Sequence, residues 1–363
     1  GPRYCPSIED KVFRFPDRTF HHVFLEPEGY DSDLIYPNGI STSTPAAVQA
    51  LFIRKIKGLE HAEIVRPGYA IEYDFLDPLV LKPTLEHKEI EGLFSAGQVN
   101  GTSGYEEAAA QGLIAGANAA LKVFERDPLI ISRTEAYIGV MIDDLVTKGV
   151  DEPYRMFTSR AEYRLILRED TAALRLCPLA ARLGLLSDEQ RRRFETYTAE
   201  YASAKKTFTQ TRIKPDAKIN AFLASLGSAP LKETMPLSDL VRRPELTLPM
   251  LLEELQIASG LCPRLLEALE TEFKFSGYLW QQEEEIRKIR QAENQLIPEE
   301  FDYDRITGLR IEIRDKLKAR RPSSLGQAQR IPGMTPGALS LLAIHLKRHN
   351  SRRKSVENAK QLI

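Results

Sequence analysis

The sequence predicts an α/β domain followed by an all-α region, and three observations support this division. Short β-branched and aromatic segments broken by prolines run through the first 75 residues. Residues 92–124 then combine a short apolar stretch, four glycines within thirteen residues and an Ala-rich run, which predicts a strand, a turn and a helix. From about residue 127, helical spacing of apolar residues continues without a comparable turn. We expect domains at residues 1–126, 127–300 and 301–363.

Composition is typical of a soluble globular protein of two or three domains. The chain has 363 residues, of which 42% are hydrophobic and 28% are charged. No apolar run approaches the roughly 20 residues that span a bilayer. The three cysteines form no C-x-x-C pair and no metal-ligand cluster with the six histidines; they are Cys5, Cys177 and Cys262. This sparse, odd set indicates reduced thiols and a cytosolic setting.

In the first domain, the pattern predicts short strands around one helix. Strands are expected at residues 12–15, 22–25, 63–65, 70–75 and 93–96, and an amphipathic helix at 45–57. The glycine turn after the last strand would offer backbone N–H groups and a helix N-terminus to a polar ligand. A plain tight turn explains the spacing equally well, because the turn is not a G-x-G-x-x-G fingerprint.

In the second domain, residues 135–148 predict a helix, and a row of arginines follows it. Arg160, Arg164 and Arg168 recur at i, i+4 and i+8, which would align three guanidinium groups along one helix face. Such a row suits phosphate groups. Neighbouring acidic residues would instead hold these charges in salt bridges, and spacing alone does not separate the two interpretations.

The last segment is strongly basic. Residues 305–354 contain thirteen Lys and Arg residues against two acidic residues, a local balance of +11 in a chain whose net charge is −1. After a charged helix at 281–294, we expect a small bundle of short helices with glycine turns. The asymmetry favours nucleic-acid binding, and a docking surface for a protein partner is the alternative.

Several strings resemble hallmarks of the GidA/MnmG family of tRNA uridine-modifying enzymes. Residues 97–108 (GQVNGTSGYEEA) resemble the family's second flavin-contacting motif. The others occur in the family's order: residues 1–9 (GPRYCPSIE), 24–29 (FLEPEG), 36–39 (YPNG), 66–74 (RPGYAIEYD) and 153–164 (PYRMFTSRAEYR). A further string, 274–278 (KFSGY), has Phe where the family has Tyr.

The resemblance implies a Rossmann-like flavin-binding domain, here partial and with an inserted mixed α/β part, followed by an all-α C-terminal region. The family's N-terminal G-x-G-x-x-G fingerprint is absent from the sequence, so we expect a C-terminal portion of the enzyme. By resemblance, Gly97, Gln98 and Gly101 contact FAD. The strip that is assigned to NADH in the family is Gly1, Pro2, Arg3, Tyr4, Cys5, Pro6, Ser7, Ile8, Glu9, Asp10, Lys11, Val12, Phe13, Arg14 and Phe15.

Cys5 is the candidate catalytic residue. In the family, the cysteine at this position is regarded as a nucleophile that adds to the uracil ring, and nearby Arg3 and Lys11 would favour its thiolate. A lone cysteine is otherwise often a small buried hydrophobe. Cys5 also lies in the nicotinamide strip, so both roles remain open.

The implied activity is FAD- and NADH-dependent addition of an aminomethyl or carboxymethylaminomethyl group to C5 of the wobble uridine, with the GTPase MnmE as partner. The resemblance also implies that the protein forms a homodimer and is located in the cytoplasm. The expected tRNA contacts are Arg155, Arg160, Arg164, Arg168, Lys274, Arg320 and Arg321. The alternatives are a non-catalytic module that binds tRNA and the partner, and a flavin oxidoreductase for a small metabolite; the basic segment speaks against the latter.

Overall fold

The computed structural model describes residues 7–69, 73–293 and 295–360. They divide into two compact units. The first unit consists of the described part of Gly1–Leu129 together with Gly149–Arg155. The second consists of Ile130–Lys148 together with the described part of Met156–Ile363. The division into three domains that the sequence predicts remains a prediction.

The described part of the first unit contains three α-helices, one β-hairpin and two short 3₁₀ turns, at Pro78–Val80 and Gly97–Asn100. The elements are α1 (Ile8–Arg14), β1 (Phe24–Pro27), β2 (Ile35–Asn38), α2 (Ala46–Ile53) and α3 (Tyr105–Val123). The strands β1 and β2 pair antiparallel, with Phe24 opposite Asn38 and Pro27 opposite Ile35. Helices α2 and α3 confirm the helices expected near residues 45–57 and after the glycine turn. The Rossmann-like flavin domain remains a prediction.

The strand predicted at residues 12–15 is wrong, because these residues belong to or border helix α1. Ser7 is the N-cap, and its hydroxyl accepts a hydrogen bond from the backbone N–H of Asp10 at 3.2 Å. Glu9 and Asp10 place negative charge in the first turn. These N-terminal signals outweigh the β propensity of the Val and Phe residues that follow.

The other predicted strands are shorter or missing in the described residues. The expected strand at 22–25 begins at Phe24. Residues 63–65 and 73–75 form no strand, and residues 70–72 lie outside the described part. The stretch at 93–96 contributes only an isolated antiparallel bridge between Phe94 and Glu86. Within the described residues these segments have no neighbouring strand with which to pair, and pairing is what stabilises a strand.

The second unit is helical, as the sequence predicts. Its helices are α4 (Tyr137–Lys148), α5 (Ala172–Leu183), α6 (Asp188–Gln210), α7 (Ala217–Ser225), α8 (Leu237–Leu240), α9 (Leu248–Glu254), α10 (Pro263–Lys274), α11 (Ser276–Glu293), α12 (Ile311–Arg320), α13 (Leu325–Arg330) and α14 (Pro336–Lys360). A two-residue ladder pairs β3 (Arg212–Ile213) with β4 (Met235–Pro236).

Two large hydrophobic cores organise this unit, and a smaller cluster of Val140, Ala161 and Leu167 packs the segment after residue 156 against α4. One lies among α6 to α10 and includes Leu223, Leu251 and Leu265, which are fully buried. The other lies among α12 to α14 and includes Leu317 and Leu342. The final helix has 25 residues and is longer than the short helices that the sequence predicts. No helix within residues 7–69, 73–293 and 295–360 combines the length and apolarity needed to cross a bilayer.

Gly139 lies in α4 where the backbone of the preceding segment passes close to the helix. A Cβ atom at this position would lie 2.2 Å from the carbonyl oxygen of Ser132 and 2.5 Å from that of Ile131. We expect Gly139→Ala to destabilise the second unit by about 1–3 kcal/mol or more, because backbone must move to relieve the overlap. Thermal unfolding followed by circular dichroism measures the change.

Gly277 in α11 supplies the matched control for Gly139, since no atom lies within 4 Å of a Cβ built there. Gly277→Ala should be neutral or should stabilise by up to about 1 kcal/mol, as Ala is the better helix former. Equal melting temperatures for the two variants would contradict the steric explanation.

Candidate functional site

The glycine turn at residues 97–104 lies against the rest of the first unit in a way that only glycine permits. Gly97 and Gly101 have φ angles of +84° and +82°, which strain any residue with a Cβ. A Cβ on Gly101 would also lie 2.6 Å from Cγ2 of Val150 and 2.8 Å from the ring of Phe75. The turn therefore packs closely on both side chains.

A buried polar network fixes the inner side of this turn. Gln111 of α3 is fully buried, and its Oε1 accepts hydrogen bonds from the Gly97 N–H at 3.2 Å and from Asn100 Nδ2 at 2.8 Å. Its Nε2 donates to Thr102 Oγ1 at 2.9 Å, and that hydroxyl donates to the Gly97 carbonyl at 2.9 Å. The network holds the turn in one conformation, since each bond lost would leave a buried polar group unpaired.

Two polar side chains of the turn, Gln98 and Ser103, have no hydrogen-bond partner among the described residues. Gln98 is exposed. The hydroxyl oxygen of Ser103 is buried. Gly104, the N-cap of α3, has no side chain with which to cap the helix. The exposed amide of Gln98 is thus the group that the turn offers to a bound molecule.

Arg155 lies beside this turn and is paired with a buried acid. Its Nε is 3.5 Å from Oε1 of Glu107, whose side chain is only 5% exposed. The preceding residue, Tyr154, donates its backbone N–H to the Gly101 carbonyl at 2.7 Å. The sequence predicts Arg155 as an RNA contact, and the structure adds this contact with the glycine turn.

The arginine row does not lie on one helix face, so this geometric prediction is wrong. Residues 158–160 form a single 3₁₀ turn, and Leu167 N–H closes a separate turn on the carbonyl of Tyr163 at 2.9 Å. A continuous helix would need the carbonyl of Arg160 as an internal acceptor. That carbonyl accepts from Arg133 Nη2 at 3.3 Å instead.

The three arginines of the row have different surroundings. Arg160 Nη1 lies 3.9 Å from the carboxylate of Asp144. Arg168 donates to both carboxylate oxygens of Asp170, at 2.9 Å from Nε and 3.1 Å from Nη2, and this pair is mostly buried. Arg164 is exposed and forms no ion pair within the described part of the chain. Of the row, Arg164 is therefore the residue most available to a phosphate.

A buried charge cluster, formed by Arg133, Asp143, Asp144 and Arg330 with Lys148 at its exposed edge, contacts the arginine segment through Arg133 and was not anticipated from the sequence. Arg133 is 6% exposed and contacts Asp144 Oδ1 at 2.7 Å and Asp143 Oδ2 at 3.3 Å. Arg330 Nε is 2.6 Å from Asp143, and Lys148 Nζ is 2.7 Å from Asp144. The cluster joins α4 to α13 within the second unit.

Electrostatics hold Arg133 and Asp144, two members of this charge cluster, in their ionised forms. Burial would raise the pKa of the Asp144 carboxyl, but the charge of Arg133 and the hydrogen bond from Lys148 outweigh it, so the pKa lies below its usual value. Burial would likewise lower the pKa of Arg133, whereas the charge of Asp144 and a hydrogen bond to Glu162 raise it. Arg133 and Asp144 therefore each need the opposite charges of their neighbours to remain ionised in this buried position.

The other residues predicted to contact RNA, which are Lys274, Arg320 and Arg321, form contacts with protein groups. Lys274 pairs with Glu270 at 2.8 Å, and Arg320 donates to the carbonyl of Thr147. Arg321 donates to the carbonyl of Phe301 at 3.2 Å and lies 5.6 Å from the ring centroid of Tyr303. Burial raises the pKa of Tyr303 to about 12.

The predicted nicotinamide strip is described only from Ser7 onward, where it forms α1 and the residue that follows. Cys5 and its neighbours at 1–6 lie outside the described residues. Lys11 donates from Nζ to the carbonyl of Gly39 at 2.5 Å, and Glu9 accepts a hydrogen bond from the Thr42 hydroxyl. About half of this strip therefore lies on α1, which is hydrogen-bonded to Gly39 and Thr42 in the segment that follows β2.

Family models match three parts of the chain and leave residues 128–187 between the first and the second. "Glucose inhibited division protein A" matches residues 1–127. The "tRNA modifying enzyme MnmG/GidA C-terminal helical domain" matches residues 188–283, and the corresponding "C-terminal helical bundle" matches residues 285–362. The three matches cover both the glycine turn and the basic segment.

Relatives and solved structures agree with these matches. The chain is 51% identical over 349 residues to tRNA uridine 5-carboxymethylaminomethyl modification enzyme MnmG of Syntrophotalea carbinolica, covering 96% of this chain and 56% of that protein. The MnmG of Desulfotalea psychrophila is 50% identical over 358 residues, with 96% and 55% covered. Aquifex aeolicus GidA superposes with a TM-score of 0.80 at 45% identity, covering 95% of this chain and 55% of that one.

The chain thus spans about half the length of the curated relatives that it matches. Within that span, the family segments follow one another from the glycine turn to the helical bundle, and identity to the relatives stays near one half. Both observations lead to the same assignment: the chain belongs to the GidA/MnmG family.

Proposed function

We propose that this chain is part of an FAD- and NADH-dependent enzyme that modifies C5 of the wobble uridine of tRNA together with the GTPase MnmE. The observation that carries the proposal is the identity of about one half to relatives over 96% of this chain, because those relatives are named as tRNA uridine 5-carboxymethylaminomethyl modification enzymes. The added group is of the aminomethyl or carboxymethylaminomethyl type. The proposal includes a homodimer that acts in the cytoplasm.

The glycine turn fits a flavin. By family resemblance, Gly97 and Gly101 are proposed to contact the flavin through their backbone, and the exposed amide of Gln98 can hydrogen-bond to ring oxygens or nitrogens. Bound FAD would supply the electrons needed to reduce a one-carbon unit. The residues of the turn bind and orient it.

Cys5 is proposed as the nucleophile that activates the uracil ring. C5 of uracil is a poor nucleophile, and addition of a thiolate to C6 moves the electrons of the C5–C6 double bond toward C5. The same strip, Gly1 to Phe15, is proposed to contact NADH. Substitution of Cys5 separates the two roles.

The segment around residues 155–168 is proposed to contact tRNA phosphates, with Arg164 as its principal cation. Arg164 is exposed and carries no ion pair among the described residues, whereas Arg168 is held by Asp170. We expect Arg164→Ala to weaken tRNA binding and to reduce the slope of log K against log salt by about 1, as one phosphate contact is lost. Titration of tRNA at two salt concentrations measures both effects.

The control for the phosphate contact compares Arg168→Ala with the triple variant in which Arg160, Arg164 and Arg168 become Ala. Arg168→Ala should change the salt slope much less than Arg164→Ala, since its guanidinium is neutralised by Asp170. The triple variant should bind most weakly. Equal slopes for wild type and triple variant would contradict the RNA contact.

The second candidate function is a module that binds tRNA and the partner without catalysis. The observation in its favour is the basic segment at residues 305–354, whose charge favours nucleic-acid binding or docking of a protein partner. Flavin absorbance that copurifies with the protein would argue against it. tRNA binding without flavin would support it.

A further inference from the structure

The segment of the second unit that carries Arg164 is anchored to α4 by buried side chains. Ala161 and Leu167 are each 3% exposed, and both pack with Val140 of that helix. From Ala161 onward, buried and exposed residues alternate, and Glu162 and Arg164 are the exposed members. The position of Arg164 is therefore set by the contacts of the residues on either side of it.

Arg133 supplies the polar part of this anchor. Its Nη2 donates to the carbonyl of Arg160 at 3.3 Å and to Oε1 of Glu162 at 2.7 Å. Its Nη1 donates to the carboxylate of Asp144 in α4 at 2.7 Å. A single guanidinium group thus ties α4 to the backbone on one side of Ala161 and to the side chain on the other.

Glu162 differs from the other acids that contact Arg133. Its side chain is 49% exposed, whereas those of Asp143 and Asp144 are 10% and 3% exposed. The two aspartates already compensate the buried guanidinium, and an ion pair with a half-exposed member adds little to stability. An exposed carboxylate beside a cation that binds phosphate also repels RNA. Neither stability nor attraction of RNA accounts for Glu162, so its contribution lies in the geometry of the contact.

We propose that Glu162 is a positioning residue for tRNA: bound to Arg133, it holds the segment in the conformation in which Arg164 meets a phosphate of the RNA backbone. The inference rests on the proposed function. Because the contact fixes the segment before tRNA arrives, less conformational entropy is lost when tRNA binds. Without the contact, the cation of Arg164 is still present, but the backbone that directs it must be ordered on binding.

Positioning and phosphate contact give different salt dependence. When a phosphate contact is lost, fewer counterions are released, and the slope of log K against log salt falls by about 1. When the positioning contact is lost, Arg164 still reaches its phosphate in the complex. Binding is then weaker at every salt concentration, and the slope stays close to that of wild type.

The experiment measures the dissociation constant of an unmodified tRNA transcript at several salt concentrations, with a protein of full family length that contains this chain. Glu162→Ala should weaken binding about 3- to 10-fold, the effect of ordering one freed side chain and its backbone. Glu162→Gln should bind within about twofold of wild type, since its amide oxygen can still accept from Arg133. Glu162→Asp keeps the charge but is shorter by one methylene, so it should reproduce the loss even if Glu162→Ala fails to fold.

Arg164→Ala provides a readout that a purely structural role would not give. In that background, Glu162→Ala should cause no further loss of affinity, because the contact acts through Arg164. The matched control is Glu169→Ala, which removes an exposed acid that follows Arg164 and pairs with Arg264 rather than Arg133. This control should not weaken tRNA binding.

The outcomes separate the inference from the proposed function. If wild type does not bind tRNA, the proposed function falls and the inference falls with it. If wild type binds tRNA and Glu162→Ala binds it as tightly or more tightly, only the inference is overturned. The inference is also overturned if Glu162→Ala weakens binding equally with and without Arg164, since its role is then structural, or if Glu162→Asp binds like wild type, since charge alone then suffices.

Discussion

Arg133→Met is expected to destabilise the second unit by about 3–5 kcal/mol, because it removes the central cation of the buried charge cluster. Arg133 is 6% exposed and contacts Asp143 and Asp144. Methionine replaces its aliphatic stem but leaves two buried carboxylates with fewer partners. Lys148 and Arg330 remain beside them, so the loss should lie near the lower end of this range.

Native-state hydrogen exchange of the α4 amides measures the local free energy of opening, which suits a chain with more than one unit. Arg192→Met is the matched control, since Arg192 is exposed on α6 of the same unit. It should change the opening free energy by no more than about 0.5 kcal/mol. An equal effect of the two substitutions would show that the cluster is not what stabilises α4.

The stability that Arg133→Met loses should depend on pH, because the lost interaction is electrostatic. In wild type, the folded pKa of Asp144 lies below its usual value, so its contribution to stability is complete above the unfolded pKa of about 3.9 and is lost as pH falls through the folded pKa. Without Arg133, the buried carboxyls take up protons at higher pH. The deficit of the variant should therefore shrink between about pH 7 and pH 4. A constant deficit would indicate lost packing instead.

The sequence predicts those parts of the fold that depend on local signals. Helix α3 follows from an Ala-rich run behind glycines, and α4 from helical spacing of apolar residues. Helix α1 was missed although Ser7 and the two acids after it are ordinary N-terminal signals. Strands were predicted less accurately than helices, because a strand depends on its pairing partner, which local sequence does not specify.

The arginine row shows why spacing alone misleads. Its period of four is helical, but the Arg160 carbonyl is taken by Arg133, which lies 27 residues earlier in the chain. Asp143 and Asp144 are adjacent acids among apolar residues of α4, and both are buried in the structure. Their position in an apolar helix was the sequence signal for a cationic partner, because buried acids are almost always paired. The sequence did not specify which arginine that partner would be, because the contact is long-range.

Family resemblance contributed what physical reasoning from the residues could not. The glycine turn is compatible with any α/β domain, and only the string around Gly97–Gly104 connects it with a flavin. The structure then adds what resemblance does not contain: the network at Gln111 and the contact between Glu107 and Arg155. Both are visible only when residues distant in sequence are brought together.

Cys5→Ser is expected to abolish tRNA modification, with a loss of about 10³-fold or more, if the thiolate is the nucleophile that adds to uracil C6. Serine is close in size but ionises far less readily, so the ring would no longer be activated. The measurement is single-turnover modification of a tRNA transcript by a protein of full family length. NADH-dependent reduction of the flavin should persist, since it requires no bond to uracil.

The other two cysteines test whether the loss is specific to Cys5. Cys177 is half-buried and burial raises the pKa of its thiol, which disfavours the reactive thiolate, whereas Cys262 is exposed at the N-cap of α10. Cys177→Ser and Cys262→Ser should both retain modification. Loss of NADH-dependent flavin reduction in Cys5→Ser would assign Cys5 to the nicotinamide site instead, and full modification activity in that variant would exclude it as the nucleophile. Because one substitution gives different results for the two roles, it decides between the interpretations that the sequence leaves open.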